Sequence, residues 1–147
     1  MIIEKATLHE ATDISQLFDS YRIFYRKESD LKAAESFIKE RLENEDSVIY
    51  YVKNEKDQIC GFTQLYPSFS STKMKRMWIL NDLYVQASDR GKGYSKALIN
   101  QVKKLCQETD ACGILLETET SNTIGNQLYP AVGFELESNN FYFWSSK

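Results

Sequence analysis

Residues 79–95 read ILNDLYVQASDRGKGYS, and their order decides how the rest of the chain is interpreted. Ile79 to Val85 is rich in β-branched and aromatic residues and reads as a strand, with Asn81-Asp82 interrupting an otherwise apolar run. Arg90 to Ser95 is a glycine-bearing turn. From Tyr94 to Thr109 the apolar set Ala97, Leu98, Val102 and Leu105 falls on one face and lysines on the other, so the turn opens a helix that packs on a sheet. A strand, a glycine turn and a helix start in sequence bring free backbone N–H groups and the positive end of a helix dipole to one point. That point suits a phosphate or pyrophosphate.

The spacing discards two phosphate cradles. A Walker A loop needs G-x-x-x-x-G-K-[ST], but Gly91 is followed by Lys92-Gly93 with no glycine five residues upstream. A dinucleotide fingerprint needs a third glycine three residues after Gly93, and Lys96 stands there. What is left is a general anion nest, in which Gly93 permits close approach of the backbone and the small Ser95 leaves room at the helix start.

Working outward, Ile2 to Thr7 reads as a short strand, and Ile14, Leu17, Phe18, Tyr21 and Tyr25 mark an amphipathic helix. A second helix starts at the N-cap Asp30, carries Leu31, Ala34, Ile38 and Leu42 on one face, and ends at residues 44–46. Ser47 to Lys53 and Gln58 to Tyr66 form a hairpin about the polar turn 54–57, with Pro67 closing its second strand. A polar loop from Ser68 to Lys75 leads into a third meander strand, Met77 to Val85. Beyond the helix at Tyr94, the expected elements are a buried strand from Gly113 to Glu119, a short helix from Thr123 to Val132 capped by Gly133, and a last strand from Glu135 to Trp144. The predicted order, β-α-α-β-β-β-α-β-α-β, is an α/β domain around a mixed central sheet flanked by helices.

A chain of 147 residues is expected to form a single domain, residues 1–147. Its formal net charge of −3 supplies no basic field, so neither nucleic acid nor an anionic membrane is an expected partner. An anionic ligand has to be met locally, by Arg90, Lys92 and Lys96. Cys60, Cys106 and Cys112 lack C-x-x-C spacing, and His9 is the only histidine, so no disulfide framework and no metal site is expected. No apolar run spans a bilayer, and Glu4 falls where a signal peptide would be apolar, which places the protein in the cytoplasm by expectation.

Arg90-Gly91-Lys92-Gly93-Tyr94-Ser95 resembles the Q/R-x-x-G-x-G/A signature of the GNAT superfamily of acyl-CoA-dependent N-acyltransferases, and it follows an LYV-like strand end at Leu83, Tyr84 and Val85. Downstream, Asn122 to Phe134 is similar to that family's N-x-x-A-x-x-L-Y-x-x-x-G-F segment, with Gly125 in place of the alanine. The resemblance covers most of the chain and extends to the element order. It implies an N-acetyltransferase that moves an acetyl group from acetyl-CoA to a primary amine in a ternary complex. The contrasting reading is an acyl-CoA-binding module that senses without turnover.

The resemblance further implies that the amides of Arg90 to Ser95 hold the pyrophosphate of coenzyme A. The pantetheine arm would run beside Leu83, Tyr84 and Val85 like an added strand, where amides could polarise the thioester carbonyl, and Asn122 would contact it. Tyr129 matches the family's tyrosine that protonates the departing thiolate; a phenol with an ordinary pKa of about 10 is protonated at neutral pH. Its alternative role is packing beside Leu128 and Phe134. The base has three candidates: Asp82, Glu117, or ordered water held by Asn81, which can bind a water but not take its proton. Tyr21, Phe24, Tyr25 and Glu28, with Tyr66 and Phe69, are the candidate acceptor pocket, since aromatic faces and an acid suit a cationic amine. A homodimer is common among such proteins, though no partner surface is legible here.

Overall fold

The expected meander supplies the centre of a five-stranded sheet in the computed structural model, which describes residues 1–147. The chain divides into two compact units, Met1–Leu116 and Glu117–Lys147. In the first, β1 (Ile3–Lys5), β2 (Val48–Lys53), β3 (Ile59–Ser70), β4 (Lys75–Val85) and β5 (Ile114–Leu115) lie side by side in that order. The first four are antiparallel, and β5 joins β4 in parallel. Helices α1 (Ala11–Phe24), α2 (Leu31–Asn44) and α3 (Tyr94–Glu108) complete this unit.

The two-residue period of β2 explains how both faces are covered. Ile49 and Tyr51 join Ala11, Ile14 and Leu17 of α1, Ile38 of α2 and Phe62 of β3 in one apolar cluster. Tyr50 points the other way and shares a hydrogen bond with Gln101 of α3, whose Leu98, Ile99 and Val102 are fully buried. Between α1 and α2, the buried Asp19 accepts from Ser29 Oγ at 2.6 Å and from the Asp30 amide at 2.8 Å. Asp30 is the expected N-cap of α2, accepting from the Ala33 amide at 3.1 Å.

Three expectations are corrected. Pro67 does not end β3, which continues to Ser70 with Pro67 opposite Trp78. Trp78 gives its amide to Gly113 O at 3.1 Å, away from β3, so its partner Pro67 also directs its nitrogen away from β4. On that side β2 has already ended, at the pair Val48–Leu65, so no ladder bond is lost by the missing N–H. The expected strand at 113–119 contracts to Ile114–Leu115, paired with Trp78 and Ile79 only.

The third correction lies in the second unit. Its single helix, α4 (Thr123–Ala131), is capped by Asn122 and ends as expected at Gly133, which has φ +99°. Phe134 N–H reaches Tyr129 O at 3.0 Å and Gly133 N–H reaches Pro130 O at 3.1 Å, the paired bonds of a Schellman turn. After it the expected strand Glu135–Trp144 has no regular structure. Alternation alone does not make a strand; the backbone groups there form no ladder with any neighbour.

Candidate active site

The Asn81-Asp82 interruption is a β-bulge. Gln64 stands opposite Asp82 and Leu65 opposite Leu80, which leaves Asn81 as the additional residue on β4. Asn81 is exposed, whereas Asp82 is turned inward and only 2% exposed. Gln64 Nε2 donates to Asp82 Oδ2 at 2.5 Å and Asn81 Nδ2 to Asp82 Oδ1 at 3.0 Å. Behind them Ser47 Oγ donates to Gln64 Oε1 at 2.9 Å, and Thr63 Oγ1 to Asp82 O at 2.8 Å. Burial pushes the Asp82 carboxyl above the usual carboxylate range, partly offset by hydrogen bonds from Gln64, Asn81 and Tyr21.

Past the bulge β4 keeps β3 on one side as far as Val85, but on the other side its pairing with β5 stops at Ile79. The main chain from Leu80 to Val85, including the predicted Leu83, Tyr84 and Val85, therefore has no strand paired with it on that side. At its end a short 3₁₀ turn, Ala87–Asp89, leads into the glycine turn. Gly91 and Gly93 sit at φ +79° and +88°, and a Cβ added to either would meet nothing within 4 Å. Both the left-handed backbone and the open space expected of an anion nest are present.

Ala97 is the first residue of α3 whose amide bonds to a helical carbonyl, that of Gly93 at 3.1 Å. The amides of Tyr94, Ser95 and Lys96 precede it. No side chain caps this end, and no acid lies in the first turn, so the dipole of a 15-residue helix is left for a ligand. Below the turn, buried Asp89 accepts from Gln86 Nε2 at 2.5 Å and Asn54 Nδ2 at 3.2 Å and pairs with Lys92 at 3.4 Å. The Gln86 bond, with those of Asn54 and Lys92, holds its carboxyl below the usual range.

Arg90 is exposed, but its side chain is anchored to the chain. Its Nε donates to Val85 O at 2.9 Å, and its guanidinium lies 5.3 Å from the Tyr84 ring centroid and 5.9 Å from that of Phe24. It thus links the glycine turn to the end of α1, where Tyr21, Phe24 and Tyr25 stack edge to face at 5.0–5.2 Å. Tyr21 Oη donates to Asn81 O at 3.1 Å and its ring is 6.3 Å from Tyr84. Four predicted acceptor-site residues, Tyr21, Phe24, Tyr25 and Asn81, are therefore gathered beside the bulge. Tyr66 joins them electrostatically: burial and then the charge of Asp82 push its phenol up to about 12.

Two other candidates stand apart. Phe69 is 69% exposed, pairs with Arg76 near the hairpin tip, and has that guanidinium 5.1 Å above its ring. Glu28 is exposed and uses its carbonyl, not its carboxylate, to receive Arg22 Nη1 at 3.2 Å. In the second unit Glu117 is exposed. Asn122 is committed to structure: its Oδ1 accepts from the Gly125 amide at 3.1 Å and its Nδ2 donates to Thr118 Oγ1 at 2.9 Å. A Cβ at Gly125 would lie 2.6 Å from Asn122 Nδ2, which accounts for glycine where the resembled segment has alanine. The Tyr129 ring packs edge to face on Phe134 at 5.8 Å.

Gln64, Thr63, Ser47 and Asp89 were missed by sequence reasoning. For Gln64 a signal existed, a lone amide inside the apolar run GFTQLY; the others look like ordinary surface polar residues.

A sequence model described as the Acetyltransferase (GNAT) family matches residues 13–134. The uncharacterized N-acetyltransferase YhfO of Bacillus subtilis (strain 168) is 44% identical over 135 residues, 92% of this chain and 90% of that one. A crystal structure described as a probable acetyltransferase superposes with a TM-score of 0.94 at 35% identity, covering 100% of this chain and 99% of the other. A ribosomal-protein-alanine N-acetyltransferase from Brucella melitensis biovar Abortus 2308 superposes with a TM-score of 0.81 at 19% identity over 99% of this chain and 100% of that one, a likeness of fold alone.

Proposed function

We propose, because this chain belongs to the acetyltransferase (GNAT) family, that it transfers an acetyl group from acetyl-CoA to a primary amine of a small molecule or peptide by direct attack in a ternary complex. The observation that carries this reading is the uncapped start of α3, with two left-handed glycines, at the end of a β4 edge that is unpaired from Leu80 onward. The residues present fit the cosubstrate: donors and open space at 91–96 suit the pyrophosphate, and the edge at Leu83 to Val85 suits an extended amide-bearing arm. When bound there, acetyl-CoA supplies an activated thioester carbonyl.

The chain's own groups then have three tasks. The aromatic rings of Tyr21, Phe24 and Tyr25 hold a cationic amine by their faces. The amine must lose a proton before it attacks, and Asp82, whose carboxyl burial raises above its ordinary range, is the group suited to receive it, directly or through a water held by exposed Asn81. Glu117 is the second candidate. When the C–N bond forms and the C–S bond breaks, the departing sulfur would need a proton, and the resemblance nominates the Tyr129 phenol to supply it; one proton would then leave the amine and one reach the thiol.

Calorimetry with acetyl-CoA followed by free-thiol release over a panel of amines tests the proposal. Binding with thiol release from at least one amine is expected, and binding without release from any amine would establish a sensing module instead. Tyr129→Phe should lower kcat by about 10²-fold or more while changing acetyl-CoA affinity little. Equal losses in both would assign Tyr129 to packing.

A further inference from the structure

Gln64 is a fully buried amide in the middle of the run GFTQLY of β3. A polar group in that setting destabilises the core unless its hydrogen bonds are made inside the protein. Both of its ends are engaged. Ser47 Oγ donates to Oε1 at 2.9 Å, and Nε2 donates to Asp82 Oδ2 at 2.5 Å. Gln64 and Asp82 are direct partners in the β3–β4 ladder, where opposite side chains stand on one face. Thr63, beside Gln64, holds the main chain of the same aspartate, donating Oγ1 to Asp82 O at 2.8 Å. Strand β3 thus grips both the backbone and the carboxylate of Asp82.

The two carboxylate oxygens are not equivalent. Oδ2 faces Gln64, whose buried amide has no water to turn to if that bond is lost. Oδ1 accepts from Asn81 Nδ2 at 3.0 Å, and Asn81 is exposed, so its amide can exchange Asp82 for solvent. A proton on Oδ2 uses acceptor capacity that a buried donor needs, whereas a proton on Oδ1 displaces a donor that water can satisfy. Ser47 fixes which end of the Gln64 amide faces the carboxylate. By giving its hydrogen to Oε1, its hydroxyl leaves the NH2 end for an ionised group that only accepts.

We propose that Gln64, oriented by Ser47, is a positioning residue for proton removal: it keeps Asp82 Oδ2 as a fixed acceptor and directs the amine's proton to Oδ1, on the side of Asn81. In this step the ammonium loses one proton, directly or through a water, and Oδ1 gains it. Later release of that proton to solvent restores the carboxylate. The role rests on the acetyl-transfer reading. Tyr21 of α1 and Tyr66 of β3 are the other titratable groups that face Asp82, and Arg41 of α2, paired with exposed Asp46 at 2.9 Å, reaches Tyr66. Phenols ordinarily titrate well above neutral pH, so an acid limb set at this site reports Asp82.

Carboxyl-carbon NMR titration of Asp82, assigned by its absence from Asp82→Asn, tests this in the parent and Gln64→Met chains alongside the pH dependence of kcat/KM. Methionine keeps the length and lacks the donor. Because the Gln64 bond lowers the Asp82 pKa, the carboxyl should titrate at higher pH in the variant, and the acid limb of kcat/KM should move with it. On that limb kcat/KM should fall about 10-fold, the effect of one lost hydrogen bond to a charged group. Above the limb it should recover, and acetyl-CoA affinity should be unchanged. Ser47→Ala frees the amide to present Oε1 to a protonated carboxyl, so smaller shifts in the same direction are expected. If the methionine variant fails to fold, Ser47→Ala decides alone. A carboxyl titration that does not move, one that moves while the acid limb stays, or a loss of kcat/KM uniform across pH would each overturn the assignment. Thiol release from no amine in the parent would overturn acetyl transfer instead, and the carboxyl titration would still decide whether Gln64 governs the proton on Asp82.

Discussion

At Gly93 the backbone is held at φ +88°, a conformation in which an L side chain is strained by about 1–2 kcal/mol. Gly93→Ala should lose about that much stability in urea. Its methyl group would project into the space where no atom of the chain lies within 4 Å, so affinity for acetyl-CoA should fall as well. Calorimetry showing unchanged affinity would remove the cradle from the mechanism. Asp82 makes a different prediction. Its folded pKa lies above the ordinary carboxylate value, so the protonated form favours the native state. Its stabilising contribution is largest below that value and declines as pH rises through the folded pKa. Asp82→Asn should lack this decline, and unfolding free energies measured from pH 3.5 to 7 should shift in the variant's favour as pH rises. Glycines and the LYV-like end were readable because their chemistry is local. Asp82 could be named as a candidate, but not its burial, which depends on Gln64 and Tyr21 from other elements.

Among the elements, the glycine turn depends on Asp89, which joins Gln86, Asn54 and Lys92 into one support. Because its carboxyl is held below the usual range, the sign is opposite to that of Asp82. The contribution is complete above the unfolded pKa and is lost as pH falls through the lowered folded value. Asp89→Asn should therefore be less stable than the parent at pH 7, with the gap closing in acid, as thermal melts across that range would record. An unchanged gap at low pH would mean that Asp89 acts by shape alone. Helices and the central hairpin were legible from periodicity and caps, Asp30 above all. Pro67 misled because its effect depends on which side of β3 has a neighbour, a property of the sheet and not of the residue. The shortness of β5 was illegible for the same reason. Ile114-Leu115-Leu116 is apolar enough for a longer strand, and the pairing stops where β4 bulges away at Asn81.

For the molecule as a whole, the two covered faces of the sheet give the unit Met1–Leu116 its own core, with Phe62, Ile14, Ile38 and Leu98 fully buried. The element order was legible almost to its end because each of those segments meets partners within one chain. The last ten apolar-patterned residues were misread as a formed strand because the pattern states what a segment needs, not whether its neighbour is present. That distinction can be measured by limited proteolysis. Chymotrypsin cuts after aromatic residues, and a protease reaches first the segments that open at no cost. In dilute protein the first cuts should fall after Phe141, Tyr142, Phe143 or Trp144, where 68–93% of each side chain is exposed. The fragment ending there should resist further digestion, since Tyr50, Tyr51, Phe62 and Trp78 are each at most 7% exposed. Initial cuts within residues 1–116 would show that the exposed aromatic segment is not the weakest point.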